Sequence, residues 1–226
     1  MLEKTIRNLF LTYPQVLYGF TDTSYSAYAD AYRSALVFAV PYGVQLTLET
    51  YTEEAFEKGI QDARNIVEEV LSKLEKVLTE HNVKYYIPPV TQNNETDLAA
   101  PFSFKFAAVN AGLGWIGKND VVITKRYGPR VRLSAILIDA PFVYGDKITE
   151  SLCPEACRNC IDACPHKVLR GVRWQIDSVR SDLIDYRLCN EKRSLSIKTL
   201  GRKHACGLCM TACPFGTETN KTQPTQ

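Results

Sequence analysis

Along the first 145 residues the apolar positions change rhythm repeatedly, and each change predicts an element. Residues 2–20 mix apolar and charged positions loosely, and Pro14 excludes a long helix there. Tyr25, Tyr28 and Tyr32 then recur at helical spacing, which core packing explains at least as well as ligand stacking does. The unbroken run Ala35–Val40 before Pro41-Tyr42-Gly43 predicts a buried strand ending in a turn. From Thr52 to about His81 the period lengthens to that of a helix. Ala55, Phe56, Ile60, Ala63, Ile66, Val67, Val70, Leu71, Leu74, Val77 and Leu78 make its apolar face, with Glu and Lys opposite. Thr52 is the expected N-cap, acids fill the first turn, and His81 is placed to cap the C-terminus. Val83–Ile87 predicts a strand closed by Pro88-Pro89, and Thr91–Asp97 a polar loop. A helix is expected over Pro101–Asn110. Strands follow at Val121–Thr124 and Val131–Asp139, joined by a turn at Tyr127-Gly128-Pro129. This alternation predicts an α/β or α+β layer structure. The polar end, 217–226, predicts a disordered tail.

A chain of 226 residues holds one large domain, or one domain and a small module. At 45% hydrophobic and 23% charged residues it has the composition of a soluble globular protein. Glu3, Lys4 and Arg7 interrupt the N-terminus, and no apolar run approaches the roughly 20 residues that span a bilayer, so a cytoplasmic protein with no membrane role is expected. The net charge of +2 is nearly neutral. Basic residues nevertheless crowd one segment: Arg158, Lys167, Arg170, Arg173, Arg180, Arg187, Lys192, Arg193, Lys198, Arg202 and Lys203. They form either a solvated face that offsets negative charge nearby or a phosphate- or tRNA-binding surface.

All eight cysteines lie in that segment, and in a reducing compartment such clustering indicates metal rather than disulfides. They form two sets of four, Cys153, Cys157, Cys160, Cys164 and Cys189, Cys206, Cys209, Cys213. Each set contains Cys-x-x-Cys followed by a Cys-Pro, the ligand pattern of paired [4Fe–4S] clusters. In that pattern the cysteine before proline serves the other cluster. Cys153, Cys157, Cys160 and Cys213 would therefore hold one cluster, and Cys189, Cys206, Cys209 and Cys164 the second. Asn190–Ala205, inserted ahead of Cys206, is expected to return to the cluster as a loop or short helix. Two zinc sites are the alternative, because Cys-x-x-Cys pairs also suit tetrahedral zinc. His166 and His204 are expected as neighbours that tune a cluster rather than ligands.

Upstream, Gly112-Leu-Gly-Trp-Ile-Gly-Lys118 gathers glycines that let a backbone approach a ligand closely. It follows a predicted helix, which excludes a dinucleotide fingerprint, and a tight structural turn competes with a ligand site. The motif ahead of two cysteine sets resembles the epoxyqueuosine reductase family, whose core is shared with reductive dehalogenases. The late run Ala205-Cys-Gly-Leu-Cys-Met-Thr-Ala-Cys-Pro214 matches as well. The resemblance implies an α+β chain with three parts: a nitroreductase-like, cobalamin-binding-type domain over 1–147, a ferredoxin-like double-cluster module over 148–216, and the tail. It implies cobalamin as a cofactor, with Gly112, Gly114, Trp115, Gly117 and Lys118 lining the corrin pocket. The family's catalytic acid aligns on Leu98, with Asp97 one residue earlier as the candidate. Longer members continue into a helical-repeat domain that helps hold tRNA, whereas this chain ends soon after Cys213. A small molecule or modified nucleoside thus joins tRNA as a possible substrate, and a ferredoxin or flavodoxin is the expected electron donor. The different reading is a ferredoxin-type carrier or corrinoid-protein activator without turnover of its own.

Overall fold

The computed structural model describes residues 1–89 and 100–217. The predicted loop at 91–97, including Asp97, lies outside the described residues, as do Leu98 and the tail from 218 onward. Two compact units divide the chain, and they interleave along it. The first comprises Met1–Pro41, Ala63–Leu113 and Val131–Ile148; the second comprises Tyr42–Asp62, Gly114–Arg130 and Thr149–Gln226. A single cut after residue 147 does not reproduce this division, because two upstream segments fold with the cysteines.

The first unit is built on a four-stranded antiparallel sheet in the order β1 (Leu17–Asp22), β2 (Ser34–Pro41), β6 (Val131–Ile138), β3 (Tyr85–Tyr86). Ala35–Val40 is fully buried, as expected of an unbroken apolar run covered on both faces. Helix α1 (Leu2–Leu11) buries Ile6 and Phe10, and Phe10 stacks on Tyr18 at 4.1 Å and tilts against Phe38 at 6.0 Å. Helix α3 (Phe104–Asn110) packs on β1, β2 and β6. Its start is fixed by Ser103, whose side chain accepts from the Phe106 amide at 3.3 Å. Helix α2 (Glu53–Glu80) contributes its part from Ala63 onward, where Ala63, Val70, Leu74 and Leu78 form one fully buried stripe. Thr52 caps its start through the Ala55 amide at 3.1 Å, and His81 Nδ1 meets the Val77 carbonyl at 2.8 Å at its end.

Three expectations change. Residues around Tyr25, Tyr28 and Tyr32 form turns, because Ser26 sends both its amide and its hydroxyl to the Thr23 carbonyl at 2.9 Å. The tyrosines still pack on neighbours, Tyr25 near Phe102 at 5.8 Å and Tyr28 near Tyr86 at 5.2 Å. The predicted strand over Val83–Ile87 shrinks to Tyr85–Tyr86 at the sheet edge. The two strands flanking Tyr127-Gly128-Pro129 do not pair with each other. β6 takes the full eight-residue length of β2, while β5 (Val122–Ile123) pairs with β4 (Trp115–Ile116) in a separate hairpin of the second unit.

The rest of the second unit is a series of short helices: α4 (Asn159–Asp162), α5 (Arg180–Leu183), α6 (Tyr186–Ser194), α7 (Ile197–Leu200) and α8 (Leu208–Thr211). Asn190–Ala205 thus returns to Cys206 through α6 and α7. Among the described residues, no helix is long and apolar enough to cross a membrane. Removing the fully buried Leu74 side chain should cost about 2–5 kcal/mol. Leu74→Ala should therefore lower the thermal midpoint of the α2 helical signal, whereas exposed Lys76→Ala should leave it nearly unchanged.

Candidate metal centre

The cysteine module repeats one local design. One-turn helices α4 and α8 carry Cys160 and Cys209 at the same position and pack against each other. Each leads into a Cys-Pro, and the third residue after each of those cysteines has a positive φ, Lys167 at 51° and Gly216 at 70°. Lys167 occupies the left-handed region without being glycine, so its half of the repeat holds a less favoured backbone at the same place.

These turns gather thiols from both halves of the repeat. Cys153, Cys157, Cys160 and Cys213 line one small pocket, together with Lys118, Asn119, Ile123, Asn159, Pro214 and Phe215. Burial pushes the Cys160 thiol up to about 11, and the neighbouring Cys153 and Cys157 push it the same way. Cys213 is raised to about 12, chiefly by burial, with Cys153 and Cys160 adding to the shift. Cys164, Cys189, Cys206 and Cys209 are the expected second set. Desolvation raises Cys189, and Cys206 and Cys164 add to it. Cys209 is raised by desolvation and then by its neighbours, Cys206 first, Cys160 of the other set next, then Cys189 and Cys164. Thiols so crowded do not ionise alone, and a positively charged centre between them is what would hold them as thiolates. Four thiols around one pocket match the ligand number of an iron–sulfur cube.

The glycine motif divides between the two units after Leu113. Gly112 is exposed, takes φ of 73°, and would drive a Cβ to 2.7 Å from the Asp146 carbonyl oxygen. Gly114 and Gly117 are buried against Ile123, and a Cβ on Gly114 would stand 2.2 Å from its carbonyl oxygen. Trp115 is 1% exposed and meets Phe215 edge-on at 5.0 Å. Lys118, 4% exposed, donates from Nζ to the carbonyls of Pro154, Glu155 and Cys157 at 3.1, 2.7 and 3.1 Å. Asn119 Nδ2 donates to the Cys209 carbonyl at 3.2 Å. From Gly114 to Lys118 the motif is thus buried, with Trp115 and Lys118 turned to the cysteine loops. These residues fit the cysteine centre better than a corrin face.

Several functional residues were not singled out from sequence. Arg130 donates to the carbonyls of Met210 and Cys213 at 3.1 and 3.0 Å, and to that of Phe215. Glu53 accepts from Arg202 at 2.7 Å and from the Ala205 amide at 3.0 Å, holding the approach to Cys206. These contacts pull its carboxyl down to about 2, the Arg202 hydrogen bond first and the Ala205 amide second. Tyr51 OH accepts from the Gly207 amide at 3.3 Å, and the Phe56 ring lies where a Gly207 Cβ would go. Read along the chain, Glu53 signalled only a helix start. His204 Nδ1 accepts from the Cys206 amide at 3.0 Å, while His166 is exposed.

Most of the basic residues bind locally. Arg180 pairs with Asp120 at 2.9 Å, Arg193 donates to the His204 carbonyl at 2.7 Å, and Lys203 to Asn190 at 2.8 Å. Arg173 donates to the Ser151 carbonyl at 2.6 Å and Lys167 to that of Asp162 at 3.0 Å. The segment's positive charge is therefore spent largely on holding its own loops.

Residues 153–216 match the family described as a 4Fe-4S double cluster binding domain. The chain resembles the epoxyqueuosine reductases. That of Bacillus cereus is 29% identical over 194 residues, covering 80% of this chain and 48% of the relative. An epoxyqueuosine reductase crystallised with an epoxyqueuosine-modified tRNA stem loop superposes with a TM-score of 0.61 at 17% identity, covering 96% of this chain and 66% of that one. A reductive dehalogenase, whose structure suggests a mechanism for B12-dependent dehalogenation, gives 0.63 at 18% identity, covering 94% and 31%. At these identities the structures establish a shared fold, in keeping with the α+β expectation. The chain spans about half the length, or less, of the curated relatives it matches first.

Crossed pairing predicts which variants behave alike. Cys160→Ser and Cys213→Ser should lose the same cluster, and Cys164→Ser and Cys209→Ser the other, each keeping about half the iron and one EPR signal. Pairing of Cys164 with Cys160 instead would refute the crossing. The depressed Glu53 carboxyl adds a pH dependence. Its contribution is complete above the ordinary carboxylate value near 4.5 and is lost as pH falls through about 2. The gap in thermal midpoint between wild type and Glu53→Gln should close across that window.

Proposed function

We propose that this chain is an iron–sulfur reductase of the epoxyqueuosine reductase type, carrying electrons through two [4Fe–4S] clusters towards a bound cobalamin and an organic substrate. The clustering of eight cysteines, four of them around one pocket, carries this reading, and the fold shared with epoxyqueuosine reductases and a reductive dehalogenase supports it. When bound, the clusters supply one-electron transfer and cobalamin supplies a cobalt centre that can be driven to a strongly reducing, nucleophilic state.

The residues of the chain would bind and shield. The eight thiolates bind the iron, while Trp115, Ile123 and Phe215 keep apolar surface beside the cavity of Cys153, Cys157, Cys160 and Cys213. Glu53 and Tyr51 orient the loop that presents Cys206. Asp97 is the proposed acid. A ferredoxin or flavodoxin is the proposed electron donor, and a small molecule or modified nucleoside, free or within tRNA, the proposed substrate.

A second reading is favoured by the inward orientation of Trp115 and Lys118, which leaves these two little surface for a corrin. In it the chain is a ferredoxin-type carrier or an activator of a corrinoid protein.

Cobalamin binding separates the two. Anaerobically reconstituted protein should hold about eight irons in two four-iron clusters. Added cobalamin should give the base-off cob(II)alamin EPR signal. Iron without any cobalamin binding would leave the carrier and refute the reductase, and zinc in place of iron would refute both.

A further inference from the structure

Two cations are buried in the cysteine unit without carboxylate partners among the described residues. Lys118 meets three carbonyls, of Pro154, Glu155 and Cys157, matching the three N–H donors of an ammonium group. Arg130, 6% exposed, spends its guanidinium on the carbonyls of Met210, Cys213 and Phe215. A buried charge supported by dipoles alone is unfavourable unless an opposite charge stands close by. Here that opposite charge has a place. Lys118 lines the cavity of Cys153, Cys157, Cys160 and Cys213, and Arg130 bonds the main chain of Cys213 itself. Near Cys189, Arg180 differs, being 41% exposed and already paired with Asp120.

We propose that Lys118 and Arg130 are fixed counter-charges that raise the reduction potential of the cluster held by Cys153, Cys157, Cys160 and Cys213. Both are positioning residues. Each also ties down carbonyl oxygens that would otherwise turn negative dipoles towards the thiolates. On reduction, one electron from an external donor enters the cluster, no bond breaks, and the net negative charge of iron, sulfide and thiolates grows by one. A fixed positive charge in low dielectric favours that more negative state. The inference rests on the two-cluster reading but not on cobalamin or on any substrate.

The test is an EPR-monitored redox titration of the reconstituted full chain with dithionite and mediators. Lys118→Met should retain both clusters and move one midpoint negative, lowering the reduced-to-oxidised ratio at fixed potential about tenfold, or about 59 mV for a one-electron couple. The other midpoint should stay in place, and Lys118→Arg should restore the first. If Lys118→Met loses iron, Arg130→Gln decides: it must shift the same midpoint negative. Full iron content with both midpoints unchanged, in either variant, overturns the proposal. Failure of the wild-type chain to bind iron overturns the cluster reading instead, and this inference with it.

Discussion

Negative charge gathered in a dry place is the constraint on which the cysteine unit depends. Thiols packed together and away from water resist ionisation, yet only thiolates bind iron. The surroundings must therefore supply positive charge and amide donors while keeping carbonyl oxygens turned elsewhere. Lys118 and Arg130 serve the last need directly, since each gathers carbonyls from a cysteine loop. Asn119 does the same for Cys209, and Glu53 orders the loop before Cys206 from the opposite sign of charge.

That demand also explains why the units interleave. A 64-residue stretch containing eight ligands has little apolar surface of its own, and its helices α4, α5, α7 and α8 are four residues each. The β4–β5 hairpin and the segment from Tyr42 to Asp62 lend it the missing walls, with Trp115 on Phe215 and Phe56 over Gly207. The first unit needs no such help. Its sheet is closed over by α1 and α3 on eight-residue strands rich in Ala, Val, Leu and Ile.

Legibility in the sequence followed the length of each signal. The run Ala35–Val40 and the stripe from Phe56 to Leu78 are long enough to declare strand and helix without context. The spacing of the cysteines was enough to mark a double-cluster segment, because ligand geometry is local. Helix α1 was present as Leu2, Ile6, Leu9 and Phe10 at helical intervals, but Pro14 drew attention to the break rather than to the ten residues before it. The hairpin β4–β5 has only two residues per strand, too few for alternation to register. Lys118 was legible as a special residue, but its partners lie 36 to 39 positions away, and nothing at the motif itself names them. The same holds for Glu53, whose arginine is 149 positions downstream.

The proposed crossed grouping would have a mechanical consequence. With iron in place, it would cross-link the chain at eight points and fasten each half of the repeat through a sulfur belonging to the other. One fastening spans from Cys153 to Cys213, the other from Cys164 to Cys209, so one closed loop lies nested within the other in sequence. Neither loop can open while both cubes remain intact, and loops of this length remove much of the freedom of the unfolded chain. Loss of iron and unravelling of the unit are then a single event, and the lifetime of the fold is set by how slowly the metal leaves.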